Sequence, residues 1–329
     1  MDTRTSDKDE LHVVTCSDPR FAIGAWITIW SAFKHTPESR NLRFHLLTTD
    51  PSAPVFAKML ELAKRWGMKL SIKHATTDSV KHLPASERLP IYTYLRLLAP
   101  GLLKGIGRFL YLDSDLLVRT SVSPLFEVLG ENTIAAAARD YYYDVLGNGL
   151  KETYSDLNVP KDDPYFNAGV MMLDADAWRN RQVSERAIEY LDRHAALVMH
   201  GDQDALNAVL AGELKELDLS WNVQLGALEY FDRVGWPAER EPLRARKAEL
   251  VSDPKIVHFI GPSKPWSDGF TIPYGKHYRK MIAASGWIPR GLVIPWKVGW
   301  LASTIRATVK RRRKGWIDMV RRPIPFPRA

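Results

Sequence analysis

Short runs of apolar residues alternate with stretches of helical periodicity along the first half of the chain. The runs are rich in β-branched residues and predict buried strands, whereas the apolar residues of 22–35 fall at the i, i+3, i+4 and i+7 positions of one helix face. We predict strands at 11–17, 42–49, 70–74, 108–113, 133–138 and 166–173, and helices at 22–35, 54–67 and 92–103, with Pro100 and Gly101 ending the last helix. Strands joined by helices form βαβ units, so the expected fold is α/β, with a mostly parallel central sheet flanked by helices. Ligands of such sheets bind beyond the carboxyl ends of the strands.

The composition is that of a globular chain with a large core. The 329 residues are 45% apolar and 26% charged, which excludes collagen, extended disorder and a disulfide scaffold. The single cysteine, Cys16, has no partner for an internal bridge, which suits a reducing compartment. Residues 1–10 are charged and do not resemble a signal peptide, and no apolar run of spanning length follows. Residues 225–255 show little periodicity and are interpreted as a loop-rich insertion.

Positive charge is concentrated near the end of the chain. The whole chain carries +8, but residues 290–329 contain eleven Lys or Arg and one acidic residue, so residues 1–289 sum to −2. A basic body would indicate a nucleic-acid partner. A basic tail on a near-neutral body indicates an attached surface-binding segment, and nucleic acid is not the partner we expect.

Two aspartates flank one serine after the fourth predicted strand. Residues i and i+2 of an extended chain point the same way, so Asp113 and Asp115 can face one point, and two carboxylates there suit Mg²⁺ or Mn²⁺. The same spacing recurs at 7–9, 174–176 and 202–204, and a solvated turn is the alternative explanation for any one of the four. Apolar residues on both sides distinguish 113–115, because buried carboxylates are costly unless a cation or donor offsets them.

A histidine lies inside another short apolar run, at residues 256–260. His258 is either a satisfied core residue or a third metal ligand, since imidazole binds such ions well. The turn that follows, from Gly261 to Lys264, offers backbone N–H groups and one ammonium group. Those groups can hold phosphate oxygens.

Two further polar residues stand out against apolar neighbours. Asn167 opens a predicted strand in which Gly169 leaves space for another group to approach the backbone. Arg96 lies on an otherwise apolar helix, where a snorkelling or salt-bridged arginine is the alternative to a functional one.

The last of these Asp-x-Asp stretches, 202–204, lies at the start of a predicted helix. Asp202 has the position of an N-cap, with the apolar face of the helix following it. Capping does not account for Gln203 and Asp204, which gather at the same helix start.

Taken in order, the stretches YTYLRL, FLYLDSDLLV, YFNAGVMML, GDQDALN and VHFIGPSKPW follow an aspartate at a strand end, Asp18. Together they resemble the family 8 glycosyltransferases, and in particular the bacterial lipooligosaccharide galactosyltransferases and lipopolysaccharide glucosyl- and galactosyltransferases. The resemblance covers roughly residues 11–278. It implies the GT-A fold, which is Rossmann-like, a UDP-sugar donor, Mn²⁺ (or Mg²⁺), and transfer of galactose or glucose with retained configuration to a glycan acceptor such as lipopolysaccharide core.

The resemblance also implies roles for individual residues. The metal ligands would be Asp113, Asp115 and His258; the nucleotide and diphosphate contacts would be Asp18, Phe21, Arg96, Ser114, Gly261 and Lys264; the residues near donor sugar and acceptor would be Asn167, Asp140, Asp202 and Gln203. Phe21 stands where the family has a tyrosine stacking on uracil, so stacking is kept and the hydroxyl is lost. Pro19 and Arg20 also replace more usual polar residues, which leaves the details of base contact open.

Front-face attack by the acceptor hydroxyl is the mechanism we expect. Hydrolytic retaining enzymes use two carboxylates, whereas the group expected on the far face of the donor sugar is Gln203, a poor nucleophile. Asp202 would orient sugar hydroxyls, and Asp204 is the alternative nucleophile. Two other functions stay open: a hydrolase or nucleotidyltransferase acting on sugar nucleotides, and a non-catalytic binding protein with a basic tail.

The basic segment predicts a tail that binds an anionic membrane surface. One helical face would hold Trp296, Trp300, Leu301, Ile305 and Val309, and basic residues lie roughly opposite. A solvated tail or a nucleic-acid arm is the alternative. We therefore expect a flexible segment (1–10), a catalytic domain (11–280) and a membrane-surface tail (281–329). The expected location is cytoplasmic, at the inner face of the plasma membrane, with a lipid-linked or oligosaccharide acceptor.

Overall fold

A computed structural model of the chain describes residues 10–289 except 84, 86–89, 132, 151, 152, 158 and 268–271, together with residues 291 and 299. The chain divides into two compact units after Pro262.

A seven-stranded sheet forms the centre of the first unit, in the order β3-β2-β1-β4-β7-β6-β8. Its strands are β1 (Leu11–Cys16), β2 (Leu42–Thr48), β3 (Lys69–His74), β4 (Arg108–Leu112), β6 (Ala135–Arg139), β7 (Phe166–Asp174) and β8 (Leu214–Leu217). Strand β7 pairs antiparallel with both of its neighbours, whereas the other pairings of this sheet are parallel. The prediction of a mostly parallel α/β sheet is confirmed.

A smaller sheet joins β5 (Leu116–Val118), β10 (Ile256–His258) and β9 (Val223–Gln224), in that order. Strand β10 runs antiparallel to β5 and parallel to β9. His258 is opposite Leu116 in this register. The last residue of β10 therefore lies beside the turn that follows β4.

Helices cover the strands. In the first unit they are α1 (Ala22–His35), α2 (Pro54–Trp66), α3 (Leu95–Leu102), α4 (Leu146–Gly149), α5 (Thr153–Asp156), α6 (Ala175–Asn180), α7 (Val183–Arg193), α8 (Asp202–Val209), α9 (Leu225–Val234) and α10 (Glu241–Ser252). Helix α1 has the predicted bounds. Helix α2 ends at Trp66, and Gly67, with a left-handed φ of 69°, closes it through backbone hydrogen bonds from its N–H to the carbonyls of Ala63 and Lys64.

Three sequence predictions are corrected here. Helix α3 continues through Pro100 and Gly101, because the Leu103 N–H donates to the Ala99 carbonyl and completes the last turn. The segment 225–255 is largely helical and not loop-rich. Its second helix, α10, is mostly exposed and buries few side chains, so it shows little apolar periodicity.

The third correction concerns the start of α8. Gly201 occupies the N-cap position, with a backbone conformation (φ 57°, ψ −122°) that suits glycine, and Asp202 is the first helical residue. The Asp202 carboxylate is therefore not the cap, and it is directed at another partner described below.

The direction of β7 decides which residues gather at the ligand edge of the sheet, by which we mean the edge at the carboxyl ends of β1, β4 and β6. Strands β1, β4 and β6 end at this edge, and β7 begins there. Asp18, Asp113 and Asp140 follow the ends of the first three strands, and Asn167 is the second residue of β7. All four therefore lie at one edge, as expected for this sheet class.

The second unit contains α11 (Gly275–Ala284), in which Tyr278 packs on Trp266 with ring centroids 5.9 Å apart. Helix α11 continues past the boundary expected at residue 280. Most of the predicted tail, namely residues 290, 292–298 and 300–329, lies outside the described residues. Within the described part, no helix combines the length and apolarity needed to span a bilayer.

Candidate active site

The prediction of extended chain at Asp113 and Asp115 is wrong, because both lie in the tight turn between β4 and β5. Thr28 of α1 holds this turn. Its hydroxyl lies 3.1 Å from the Asp113 carbonyl and accepts a hydrogen bond from Leu116 N–H at 3.2 Å. The turn itself, and not the alternation of an extended chain, presents both aspartates to one point.

Asp113, Asp115 and His258 converge at that point. One ligand atom from each lies within 4.8 Å of the others, and His258 Nε2 is 3.2 Å from Asp115 Oδ1 and 3.8 Å from Asp113 Oδ2. Two carboxylates and one imidazole are a donor set that Mn²⁺ accepts. The residues present therefore fit a divalent cation.

Gly169 makes this convergence possible. A Cβ at this position would lie 2.3 Å from His258 Cε1 and 2.9 Å from Asp113 Oδ2, so only glycine leaves room for both side chains. The close approach expected at Gly169 is present, and the approaching groups are the candidate metal ligands.

A buried asparagine holds the imidazole. His258 Nδ1 lies 2.9 Å from Asn222 Oδ1, and both residues are almost fully buried. An outer hydrogen bond of this kind orients a metal-binding histidine. Asn222 was not among the residues predicted from the sequence.

Arg96 lies within the site and is not a surface arginine. Its Nη2 donates to Asp113 Oδ1 at 2.7 Å, and its Nε lies 3.2 Å from Asp202 Oδ2 in an ion pair that lacks hydrogen-bond alignment. The guanidinium carbon also lies 4.6 Å from the centre of the Tyr111 ring, and the Tyr111 hydroxyl donates to the same oxygen of Asp113. Arg96 thus links the Asp113 turn to the start of α8.

Burial shifts the pKa values of several residues around Arg96. Desolvation raises the pKa of Asp202 to about 6, with Arg96 acting in the opposite direction. Burial likewise raises the pKa of the Cys16 thiol to about 12 and that of Tyr111 well above its usual range. Burial acts to lower the pKa of Arg96, but Asp113 and Asp202 raise it well above its usual value, so Arg96 stays charged.

Asp140 organises the neighbouring side of the site. Its Oδ1 accepts from the backbone N–H groups of Tyr142 and Tyr143, at 2.8 and 3.0 Å. Its Oδ2 accepts from Asn167 Nδ2 at 2.9 Å and from Gln203 Nε2 at 3.2 Å. The Gln203 carbonyl in turn accepts from Ala168 N–H at 3.2 Å, so both ends of the glutamine amide are held.

Asp204 is almost fully buried and fully engaged. It accepts from the Tyr165 hydroxyl and from the backbone N–H groups of Met199 and His200, at 2.7 and 2.8 Å. These contacts hold the chain at the start of α8. Asp204 is buried, whereas Gln203 is half-buried.

Asp18 caps the short turn at the end of β1. It accepts from Phe21 N–H through Oδ1 and from Arg20 Nε through Oδ2, both at 2.9 Å. Arg20 also donates to the Tyr92 hydroxyl. Phe21 is half-buried and lies next to this cap.

The remaining predicted residues are Ser114, Gly261 and Lys264. Ser114 is half-buried between the two turn aspartates, and Gly261 is exposed with φ 96°, which favours glycine. Lys264 is half-buried and belongs to the second unit.

Besides Asn222, two site residues were missed. Tyr111 lies two positions before Asp113, so strand alternation was an available signal for it. Thr28 lies on an apolar helix about ninety residues before its partners, at a separation of 88 from Leu116, and gave no local signal.

A sequence profile described as "Glycosyl transferase family 8" matches residues 12–269. General stress protein A of Bacillus subtilis is 28% identical over 289 residues, covering 85% of this chain and 96% of that protein. The lipopolysaccharide 1,3-galactosyltransferase of Salmonella typhimurium is 27% identical over 300 residues, covering 88% and 83%.

Solved structures share the fold. The galactosyltransferase LgtC, crystallised with donor and acceptor sugar analogs, superposes with a TM-score of 0.72 at 21% identity, covering 86% of this chain and 99% of that one. The bifunctional glycosyltransferase WbbM gives 0.68 at 19% identity, covering 87% and 51%.

Proposed function

Since the chain belongs to glycosyl transferase family 8, we propose that it transfers a hexose, galactose or glucose, from a UDP-sugar to a glycan acceptor with retention of configuration. The glycosyltransferase prediction is confirmed at the level of the family. The lipopolysaccharide galactosyl- and glucosyltransferases among its relatives support lipopolysaccharide core or a related cell-surface glycan as the acceptor.

The observation that carries the proposal is the convergence of Asp113, Asp115 and His258 at the ligand edge of the sheet. We propose that these three side chains hold Mn²⁺, with Mg²⁺ as the alternative. When bound, the ion would stabilise the negative charge that develops on the departing diphosphate.

Arg96 is the residue of this chain best placed to assist the leaving group. It is buried beside Asp113 and keeps its charge, so it can donate to a phosphate or sugar oxygen without a change of protonation. Gly261 and Lys264 are proposed as further diphosphate contacts. Asp18 and Phe21 are proposed to hold the uridine, the first through a hydrogen bond and the second by stacking.

Gln203 is proposed to lie against the far face of the donor sugar. Its amide is held by Asp140 and by the Ala168 N–H, and an amide is a poor nucleophile. This favours front-face attack, in which the acceptor hydroxyl adds from the side of the departing diphosphate and gives its proton to a phosphate oxygen. Asp202 and Asn167 would orient sugar hydroxyls, and the full engagement of Asp204 favours a positioning role for it over the nucleophile role.

The proposed setting is the cytoplasmic face of the plasma membrane. The cluster of Lys and Arg between residues 306 and 322 would attract anionic lipids, each charge adding roughly 1 kcal/mol near the surface. The proposed acceptor is a lipid-linked glycan or an oligosaccharide at that surface.

The test is UDP release from a panel of UDP-hexoses, with Mn²⁺ or with EDTA, and with or without membrane extract. We expect release that requires Mn²⁺, is fastest with one hexose and rises with extract, and a Gln203→Ala enzyme slowed more than tenfold in kcat. Release that ignores the extract would favour a sugar-nucleotide hydrolase. Release that survives chelation would overturn the metal assignment.

A further inference from the structure

A chain of buried hydrogen bonds runs from the candidate metal ligand His258 to Gln203. His258 Nδ1 meets Asn222 Oδ1 at 2.9 Å, and Asn222 Nδ2 meets Asn167 Oδ1 at 2.8 Å. Asn167 Nδ2 then meets Asp140 Oδ2 at 2.9 Å, which also accepts from Gln203 Nε2. Two side-chain amides thus connect the metal side of the site to the donor-sugar side.

The directions of the three hydrogen bonds that lead from His258 to Asp140 follow from one backbone group. The Gly169 N–H, which can only donate, lies 3.0 Å from the same Asn167 oxygen. The atom of Asn167 at that point must therefore accept, and Asn222 must present its NH₂ there. The other atom of Asn222 is then its carbonyl oxygen, which requires a proton on His258 Nδ1.

The Asp140 end of this hydrogen-bond network imposes the same direction. An ionised Asp140 carboxylate only accepts, so Asn167 must turn its NH₂ to it. This places the Asn167 oxygen toward Gly169 and Asn222, in agreement with the backbone argument. Neither amide can be reversed without setting two donors or two acceptors against each other in a buried place.

From this network we infer that Asn222 is a positioning residue with two separate effects. Its carbonyl holds the proton on His258 Nδ1, so Nε2 is the ring nitrogen left to bind a cation beside Asp113 and Asp115. Its NH₂ fixes Asn167, and through Asp140 the orientation of Gln203. The inference rests on the proposed function for its second effect, whereas the first is a property of the metal-free protein.

The first experiment measures the tautomer directly. Two-bond ¹H–¹⁵N correlation spectra of the metal-free protein, labelled with [¹⁵N]histidine, show which ring nitrogens carry a proton, and a His258→Gln variant assigns the signal. We expect a proton on His258 Nδ1, whether or not Nε2 also carries one. A His258 ring protonated on Nε2 alone in the wild-type protein would overturn the inference, whatever activity the enzyme has.

The second experiment separates the two effects with a pair of variants. In Asn222→Ala both contacts are lost, and we expect His258 to show a mixture of tautomers. We also expect Mn²⁺ binding to weaken about 10–100-fold, which is the usual cost of removing the residue that hydrogen-bonds a metal-binding histidine. In Asn222→Asp an acceptor for Nδ1–H remains but the donor to Asn167 is gone. We expect this variant to keep the tautomer and Mn²⁺ affinity within about threefold of wild type, while kcat falls at least about tenfold.

Mn²⁺ binding is followed by electron paramagnetic resonance of the unbound ion in the presence of UDP, and kcat by UDP release. Asn41→Ala, at an exposed position, is the control and should match wild type. Equal losses of Mn²⁺ affinity and kcat in the two Asn222 variants, in step with their unfolding temperatures, would indicate a purely structural role and overturn the inference. Wild-type protein that binds no Mn²⁺ and releases no UDP, yet shows the Nδ1–H tautomer, would overturn the proposed function alone.

Discussion

Replacing Gly169 with alanine should displace the His258 imidazole from the candidate metal site by a distance that the structure predicts. The added methyl carbon would lie 2.3 Å from His258 Cε1 and 2.8 Å from its Nδ1. Non-bonded carbon atoms rest about 3.5–4.0 Å apart, so the imidazole must move by roughly 1.2–1.7 Å. Strand β10 and the hydrogen bond to Asn222 both oppose that movement.

The size of the effect follows from this displacement. Metal–ligand distances in proteins vary by only about 0.2 Å, and a misplacement of about 1 Å in an active site costs about 100-fold in rate. We therefore expect Gly169→Ala to lower Mn²⁺-dependent UDP release about 100-fold and to require more Mn²⁺ for half-maximal rate. Overpacking should also lower the free energy of unfolding by about 1–3 kcal/mol.

UDP release at graded Mn²⁺ concentrations and urea denaturation measure the two quantities. Gly101→Ala is the matched control, because a Cβ there meets no atom within 4 Å and the position is helical and exposed. This control should keep full activity and gain up to about 1 kcal/mol of stability. Wild-type rate and Mn²⁺ requirement in Gly169→Ala would refute the argument that this glycine makes room for the ligands.

Two further predictions concern ionisation and the tail. The pKa of Asp202 is raised from 3.8 to about 6 in the folded state, so between these values the folded protein binds a proton that the unfolded chain does not, and stability falls as pH rises. In EDTA, the free energy of unfolding of the wild type should therefore fall by about 3 kcal/mol relative to that of Asp202→Asn between about pH 4 and about pH 7. Urea titrations in which this difference stays constant would contradict the raised pKa. Truncation after Pro289 removes the basic segment, and flotation with anionic vesicles should lose the protein from the lipid fraction while UDP release by hydrolysis is kept; salt-resistant binding of the truncated protein would contradict a membrane role for the tail.

Local periodicity was sufficient to predict much of the fold. Helix α1 has the predicted bounds because its apolar residues are regularly spaced and it packs on the sheet. Helix α10 was missed because it buries chiefly Leu243 and Leu250, too few side chains to set a period. The end of α3 was misplaced because a proline rule took no account of the Leu103 N–H that closes the helix beyond it.

The candidate site was predictable only where its chemistry is local in sequence. Asp113 and Asp115 were found from their spacing and apolar flanks, although the expected strand geometry was wrong. Asn222 could not be found, because its meaning comes from a contact with His258 at a separation of 36 residues. The N-cap role expected for Asp202 also came from a local rule. The fold instead brings Arg96 close to Asp202, and the two side chains form an ion pair.

The reversed direction of β7 separates residues that the candidate cation site constrains from a connection that it does not constrain. The residues that support the candidate cation site, Gly169 among them, are locked by the pairing of β7 with β4, so any change in that register disturbs His258 and Asp113 together. The long connection between β6 and β7, residues 140–165, returns to the same edge without crossing that pairing. Apart from Asp140 and Tyr165, which contact Gln203 and Asp204, a change in the length or composition of this connection would leave the register of β7 on β4 unchanged.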